Sequence, residues 1–178
     1  MRKRGKAMFD GNLPQLMVAY NQWQNRQVYH AAAQLSEEQR QADRGAFFRS
    51  VHGTLDHLLW GDLIWLGRFT EQTLVTQPCG ELLHPDFASL SAAREALDQQ
   101  LISWAANLSA EWLAEPVTWT SRLYQFTQTV PRWVLVQHMF NHQTHHRGQV
   151  GTLLQQLGVE VGITDLPLLD ILQQGPSQ

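Results

Sequence analysis

Cysteine is nearly absent: Cys79 is the single one in 178 residues. One cysteine makes no internal disulfide and no CxxC redox or zinc motif, so a reduced, cytoplasmic protein is expected. Long apolar runs are missing too. None approaches the ~18 residues of a membrane span, and no membrane partner is expected. Neither charge sign dominates, since 13 Lys and Arg stand against 16 Asp and Glu, a net of −3 with a pI near 6.2. That balance lacks the basic bias of a nucleic-acid binder, so nucleic acid is not an expected partner. The start is locally basic through Arg2, Lys3, Arg4 and Lys6, but no apolar stretch follows. A secretory signal is therefore not expected, and residues 1–9 read as a basic flexible tail. There is no internal repeat, no phosphate-cradling glycine loop and no Ser-His-Asp order.

What remains is an ordinary apolar fraction, 43%, rich in large rings: seven Trp and seven Phe. The length suits one domain, residues 10–178, with enough chain to bury a core. Asn12 and Pro14 suit the start of a helix, and Leu13, Leu16, Met17, Tyr20 and Trp23 keep helical spacing to about 35. Ser36 with Gln39 three residues later has capping-box form. A second long helix is expected over 46–69, on the spine Phe48, Val51, Leu55, Leu58, Trp65 and Phe69. Pro78, Gly80 and Pro85 mark a long connection, and Ser89 or Ser91 should cap a third helix carrying Leu97, Leu101, Trp104 and Leu108. From 117 to 130 the pattern turns β-branched and aromatic, which predicts a small hairpin or an extended crossover. Pro131 and Gly158 then bracket a fourth long helix, and residues 164–172 suggest one short helix more. The expected fold is all-α: a four-helix bundle with a small extended or hairpin excursion before the last long helix.

The fourth helix holds half of the eight histidines, His138, His142, His145 and His146. Residues four apart stack on one helix face, so His138, His142 and His146 form a stripe, with His145 at its edge. Two imidazoles one turn apart can reach a common ion at Zn–N distances of about 2.0–2.1 Å. The competing reading is a solvated polar patch, or a stripe that pairs with phosphate. His138 either joins the site or lies a turn below it. A third ligand has to come from elsewhere, and the second helix offers His57 as a better candidate than His52. His30, His52 and His84 read as ordinary hydrogen-bonded histidines.

His57-Leu-Leu-Trp-Gly-Asp62 with Trp65, together with Asn141-His142-Gln-Thr-His145-His146-Arg147-Gly148-Gln149, resembles the DinB family of DinB/YfiT-like metalloenzymes. The resemblance runs from about Leu13 to Leu172. It implies a four-helix bundle, a homodimer, and a divalent ion on His57, His142 and His146, although Asp56 stands where Asn is common before the first ligand. It leaves His145 off the ligand vector, in a substrate or ring-supporting role.

Three neutral imidazoles leave an ion its full charge and an open position, as catalytic rather than structural zinc sites do. Histidine suits Zn, Ni or Fe, so the ion's identity stays open. Asp62, Asn141 and Gln149 are candidates to orient the rings. Arg147 either anchors an anionic substrate group or makes a surface salt bridge. Tyr20, Trp23 and Trp60 are candidates to line a pocket. The expected function is a divalent-metal-dependent enzyme acting on a small molecule. Its chemistry would be a transfer using a low-molecular-weight thiol, as in some relatives, or hydrolysis by water whose pKa the ion lowers to about 7. The alternative is a non-catalytic metal-binding stress-response protein in which the ion staples helices together.

Overall fold

The computed structural model describes residues 13–121 and 125–169. The expected cap at Asn12, the tail over 1–9 and the end of the last predicted helix lie outside these residues. The chain is mostly helical, with a small two-stranded antiparallel sheet. Four helices are long: α1 (Leu13–Ala33), α3 (Val51–Thr70), α4 (Phe87–Ala106) and α6 (Arg132–Gln156). Two are short, α2 (Glu37–Gln41) and α5 (Ala110–Ala114), and one 3₁₀ turn covers Leu166–Leu168. No helix among the described residues is long and apolar enough to cross a membrane.

Helix α1 packs on α4 and α6, and α3 packs on α6 and α4, so each long helix buries one stripe against two others. The core between them is built of Leu55, Leu59, Leu90, Leu97, Leu101, Met139, Phe140 and Leu154, all nearly inaccessible. Helix α2 has the predicted capping box, with Ser36 Oγ accepting from Gln39 N and the Gln39 amide oxygen accepting from Ser36 N.

Two starts differ from expectation. Helix α3 begins at Val51, not near 46, because Ser50 accepts from Gly53 N at 3.0 Å and a tight Ala46–Arg49 turn precedes it. Phe48 fits the apolar period, yet it lies on that turn, where local hydrogen bonds prevail over periodicity. Helix α4 begins two residues before Ser89, because Asp86 supplies the cap, its carboxylate accepting from Ser89 N at 2.8 Å.

The excursion is a hairpin, β1 (Pro116–Ser121) paired with β2 (Phe126–Pro131) in the register Val117 to Val130 and Trp119 to Gln128. Hydroxyl pairs at 2.9 Å, Thr118 with Thr129 and Thr120 with Thr127, fasten its outer face. On the other face Trp119 reaches Trp65 and His138.

The interior is not wholly apolar. Arg94 of α4 pairs with Asp62 of α3 at 2.6 Å and with Asp98 at 2.9 Å. Asn25 of α1 donates to Asp98 at 2.9 Å, and Gln143 of α6 donates to Asp62 at 2.8 Å. All five side chains are buried, and together they join the four long helices.

Candidate metal centre

Helix α3 contributes His57, and α6 contributes His142 and His146 one turn apart on the face toward α3. One ring nitrogen from each lies within 4.8 Å of the other two. His57 Nε2 and His142 Nε2 stand 3.2 Å apart. Two nitrogens of a tetrahedral zinc site with Zn–N near 2.05 Å would stand about 3.3 Å apart, so the spacing suits a shared ion. His57 and His146 are each 8% exposed, which leaves the site partly open at one side.

One hydrogen bond holds a ring of the cluster in ligating form. His146 Nδ1 donates to the Gln149 amide oxygen at 2.7 Å, which leaves its Nε2 lone pair free. The Gln149 amide nitrogen in turn donates to His145 Nε2 at 3.2 Å. His57 Nδ1 lies 3.7 Å from Cys79 Sγ, so its Nε2 faces the other two rings. Burial, then the neighbouring imidazoles, pushes His57 down to about 3 and His142 down to about 4. Burial also lowers His146. A buried His142 Nδ1 has no partner among the described residues. Converging lone pairs on rings that resist protonation are the donor set a divalent cation requires. The residues present fit such an ion.

Two residues make this arrangement possible that the sequence did not assign to the site. A Cβ on Gly61 would lie 2.7 Å from His142 Cε1, so only glycine lets the ring pack on the α3 backbone here. The available signal was a glycine inside an apolar helical pattern, four residues after His57. Phe48 stacks on His57 with centroids 3.6 Å apart and meets His146 edge-on at 5.6 Å, steadying two of the three rings.

The other candidates fall in different places. His138 is off the cluster, wedged between Trp65 and Trp119. His52 is buried and hydrogen-bonds the His84 carbonyl oxygen, whereas His30 is exposed. His145 is exposed, its ring 4.9 Å from that of His146. Arg147, expected to face substrate or to make a surface salt bridge, is instead buried: it donates to Asn21 of α1 and sits 5.7 Å from the Tyr20 ring. Burial drives its pKa down to about 10. Of the candidate ring-orienting groups only Gln149 bonds a histidine of the cluster; Asp62 is held by Arg94 and Gln143, and Asn141 accepts from Gln137. Trp60 stacks beside His57 at 5.7 Å, whereas Tyr20 and Trp23 contact each other on α1.

Comparison with known proteins gives one consistent answer. Over 161 residues the chain is 25% identical to Protein DinB of Bacillus subtilis (strain 168), covering 85% of this chain and 90% of that protein. Over 112 residues it is 26% identical to the uncharacterized protein YrdA of the same organism, covering 63% of this chain and 66% of that one. The DinB family profile matches residues 8–176, nearly the full length, and the chain belongs to the DinB family.

Proposed function

We propose that this chain is a divalent-metal-dependent enzyme, one domain over residues 10–178 whose four long helices form a four-helix bundle. Its ion would sit on His57, His142 and His146. The observation that carries the reading is the convergence of one ring nitrogen from each of three histidines within 4.8 Å of one another, with no fourth ligand in the group among the described residues. Zn, Ni and Fe all accept such a set. When bound, the ion supplies a Lewis acid that makes a nucleophile of a thiol or of water near neutral pH.

The chain's own residues do the rest. Phe48 and Gly61 fix the rings of His57 and His142, and Gln149 fixes the tautomer of His146. His145, exposed beside the cluster and accepting from Gln149, is the group assigned to substrate contact or proton handling. Arg147 serves the helix framework through Asn21 and is left out of the reacting site. Transfer with a low-molecular-weight thiol is the first reaction class and hydrolysis the second. The cytoplasmic location rests on the single cysteine and the homodimer on the family resemblance. Light scattering after gel filtration tests the dimer.

The rival reading, an ion that merely staples α3 to α6, has less support. Leu55 and Leu59 share one apolar core with Met139 and Phe140, and the Asp62–Gln143 bond also joins the two helices. The experiment is elemental mass spectrometry of the purified protein beside the His142→Ala, His146→Ala double variant. About one ion per chain, lost in the variant while circular dichroism stays helical, supports an enzyme site and justifies thiol-transfer and hydrolysis screens. Helix loss together with the ion favours the staple. No uptake of Zn, Ni or Fe removes the metal reading.

A further inference from the structure

Beside the cluster a cavity of about 650 Å³ opens between the turn before α3 and the connection that follows it. This is within the range of about 300–1,000 Å³ typical of small-molecule sites. One wall carries a row of flat rings, with Phe48 and Trp60 each stacked against His57. Phe47, 84% exposed, and Leu82, 50% exposed, stand at the rim. Large apolar side chains at a cavity mouth are poorly used by solvent and well used by an apolar ligand.

The charges lining the cavity are largely spent. Arg49 pairs with Asp43 at 2.9 Å, and the Asp56 carboxylate accepts from Leu83 N and His84 N at 2.9 and 3.0 Å. Glu81 is an exposed anion on the lining, which disfavours an anionic guest. One buried polar atom of the lining is unspent among the described residues. His52 lines the cavity and is 1% exposed, and its Nε2–H is committed to the His84 carbonyl oxygen at 2.8 Å. In the neutral ring Nδ1 is then an acceptor, and this buried atom has no partner among the described residues. A buried acceptor without a donor favours a ligand that supplies one.

We infer that this cavity binds an uncharged, planar aromatic molecule carrying one hydrogen-bond donor, of the phenol type, and that this is the substrate class presented to the metal centre through His57. The second half rests on the metal reading proposed above; the first does not. Stacking on the Phe48–His57–Trp60 row selects planarity, the spent charges select neutrality, and His52 Nδ1 selects the donor.

The test uses 2-naphthol as probe, with 2-methoxynaphthalene lacking the donor and 2-naphthoate carrying a charge, titrated calorimetrically into the full chain. Titrations are run with the protein loaded with Co(II) and with the His142→Ala, His146→Ala variant. The expected order is 2-naphthol tightest, with the other two weaker by about tenfold or more. Leu82→Arg, a change at an exposed position, should weaken 2-naphthol about tenfold while leaving metal content intact. Equal affinities, or no 2-naphthol binding to either protein, would overturn the site. Co(II) should broaden the 2-naphthol proton resonances. Binding without broadening, with Co(II) demonstrably bound, would overturn the substrate assignment alone. If no Co(II) is taken up while 2-naphthol still binds the variant, the metal reading and the substrate assignment fall and the site stands.

Discussion

Gly61→Ala should uncouple metal affinity from folding stability. An alanine Cβ at this position stands 2.7 Å from His142 Cε1, 3.2 Å from its Nδ1 and 3.6 Å from its Nε2. Ordinary contact begins near 3.4 Å, so the ring must retreat by 3.4 − 2.7, about 0.7 Å. Ligand distances in a metal site tolerate about 0.2 Å, so the retreat takes His142 out of range unless the ion follows it and strains the other two. A displacement of this kind, like the loss of a ring-supporting group, should weaken metal binding about 10–100-fold, or about 1.4–2.7 kcal/mol. The fold responds differently. Alanine in a helix interior gains about 1 kcal/mol over glycine, against about 0.5–1.5 kcal/mol for forcing the imidazole off its rotamer. The metal-free variant should therefore lie within about 1 kcal/mol of the parent. Competition for zinc against a chromophoric chelator reads the first quantity, and urea denaturation of metal-free protein reads the second. Unchanged zinc affinity would refute the geometry, because His142 could then not be a ligand packed on Gly61.

Other perturbations address separate parts of the structure. His57, His142 and His146 are harder to protonate when folded than when unfolded, so the unfolded chain binds more protons below its ordinary histidine range. Metal-free stability should thus be level above pH 7 and fall between about pH 6.5 and 4, as urea midpoints would record; a midpoint that rises on acidification would contradict the assignment. For the same reason zinc affinity should change little from pH 7.5 to 6, and a loss of tenfold or more per pH unit would mean that the rings protonate normally. Arg94→Met strands Asp62 and Asp98 in the interior and should cost about 3–5 kcal/mol in chemical denaturation. A loss under 1 kcal/mol would mean that the pair is solvated. Ser50→Ala removes the cap of α3 and should cost about 1 kcal/mol, visible as a shift in melting temperature without loss of helix at 25 °C.

Much of this was legible because it follows from local spacing. Apolar periodicity located the long helices, and the i, i+4 relation of His142 and His146 put two imidazoles on one face. The β-branched run at 117–130 was equally readable as a departure from helix. What escaped depends on contacts between distant segments. Phe48 matches the helical period and still sits on a turn, because Ser50 and Arg49 settle the backbone there. Arg94 carries no signal of its own in the apolar spacing of its helix. Its burial needs Asp62 from another helix and Asp98 one turn on, and only the first of these is invisible along the chain. Arg147 sits among histidines in sequence, but a helix turns about 100° per residue, and one position past His146 its side chain heads for Asn21.

The interior ions also bear on how the chain avoids folding wrongly. Four helices with similar leucine stripes can be connected around a core in either sense, and apolar contacts alone discriminate poorly between the two. With Arg94 on one helix and Asp62 on another, any order that separates them leaves a lone ion in hydrocarbon, a penalty of several kcal/mol. The right order gains little from the pair over a leucine in its place. Wrong orders are therefore the ones the network acts on, and a chain with Asn25, Asp62, Arg94, Asp98 and Gln143 all made apolar should fold as stably but commit errors of helix pairing on the way.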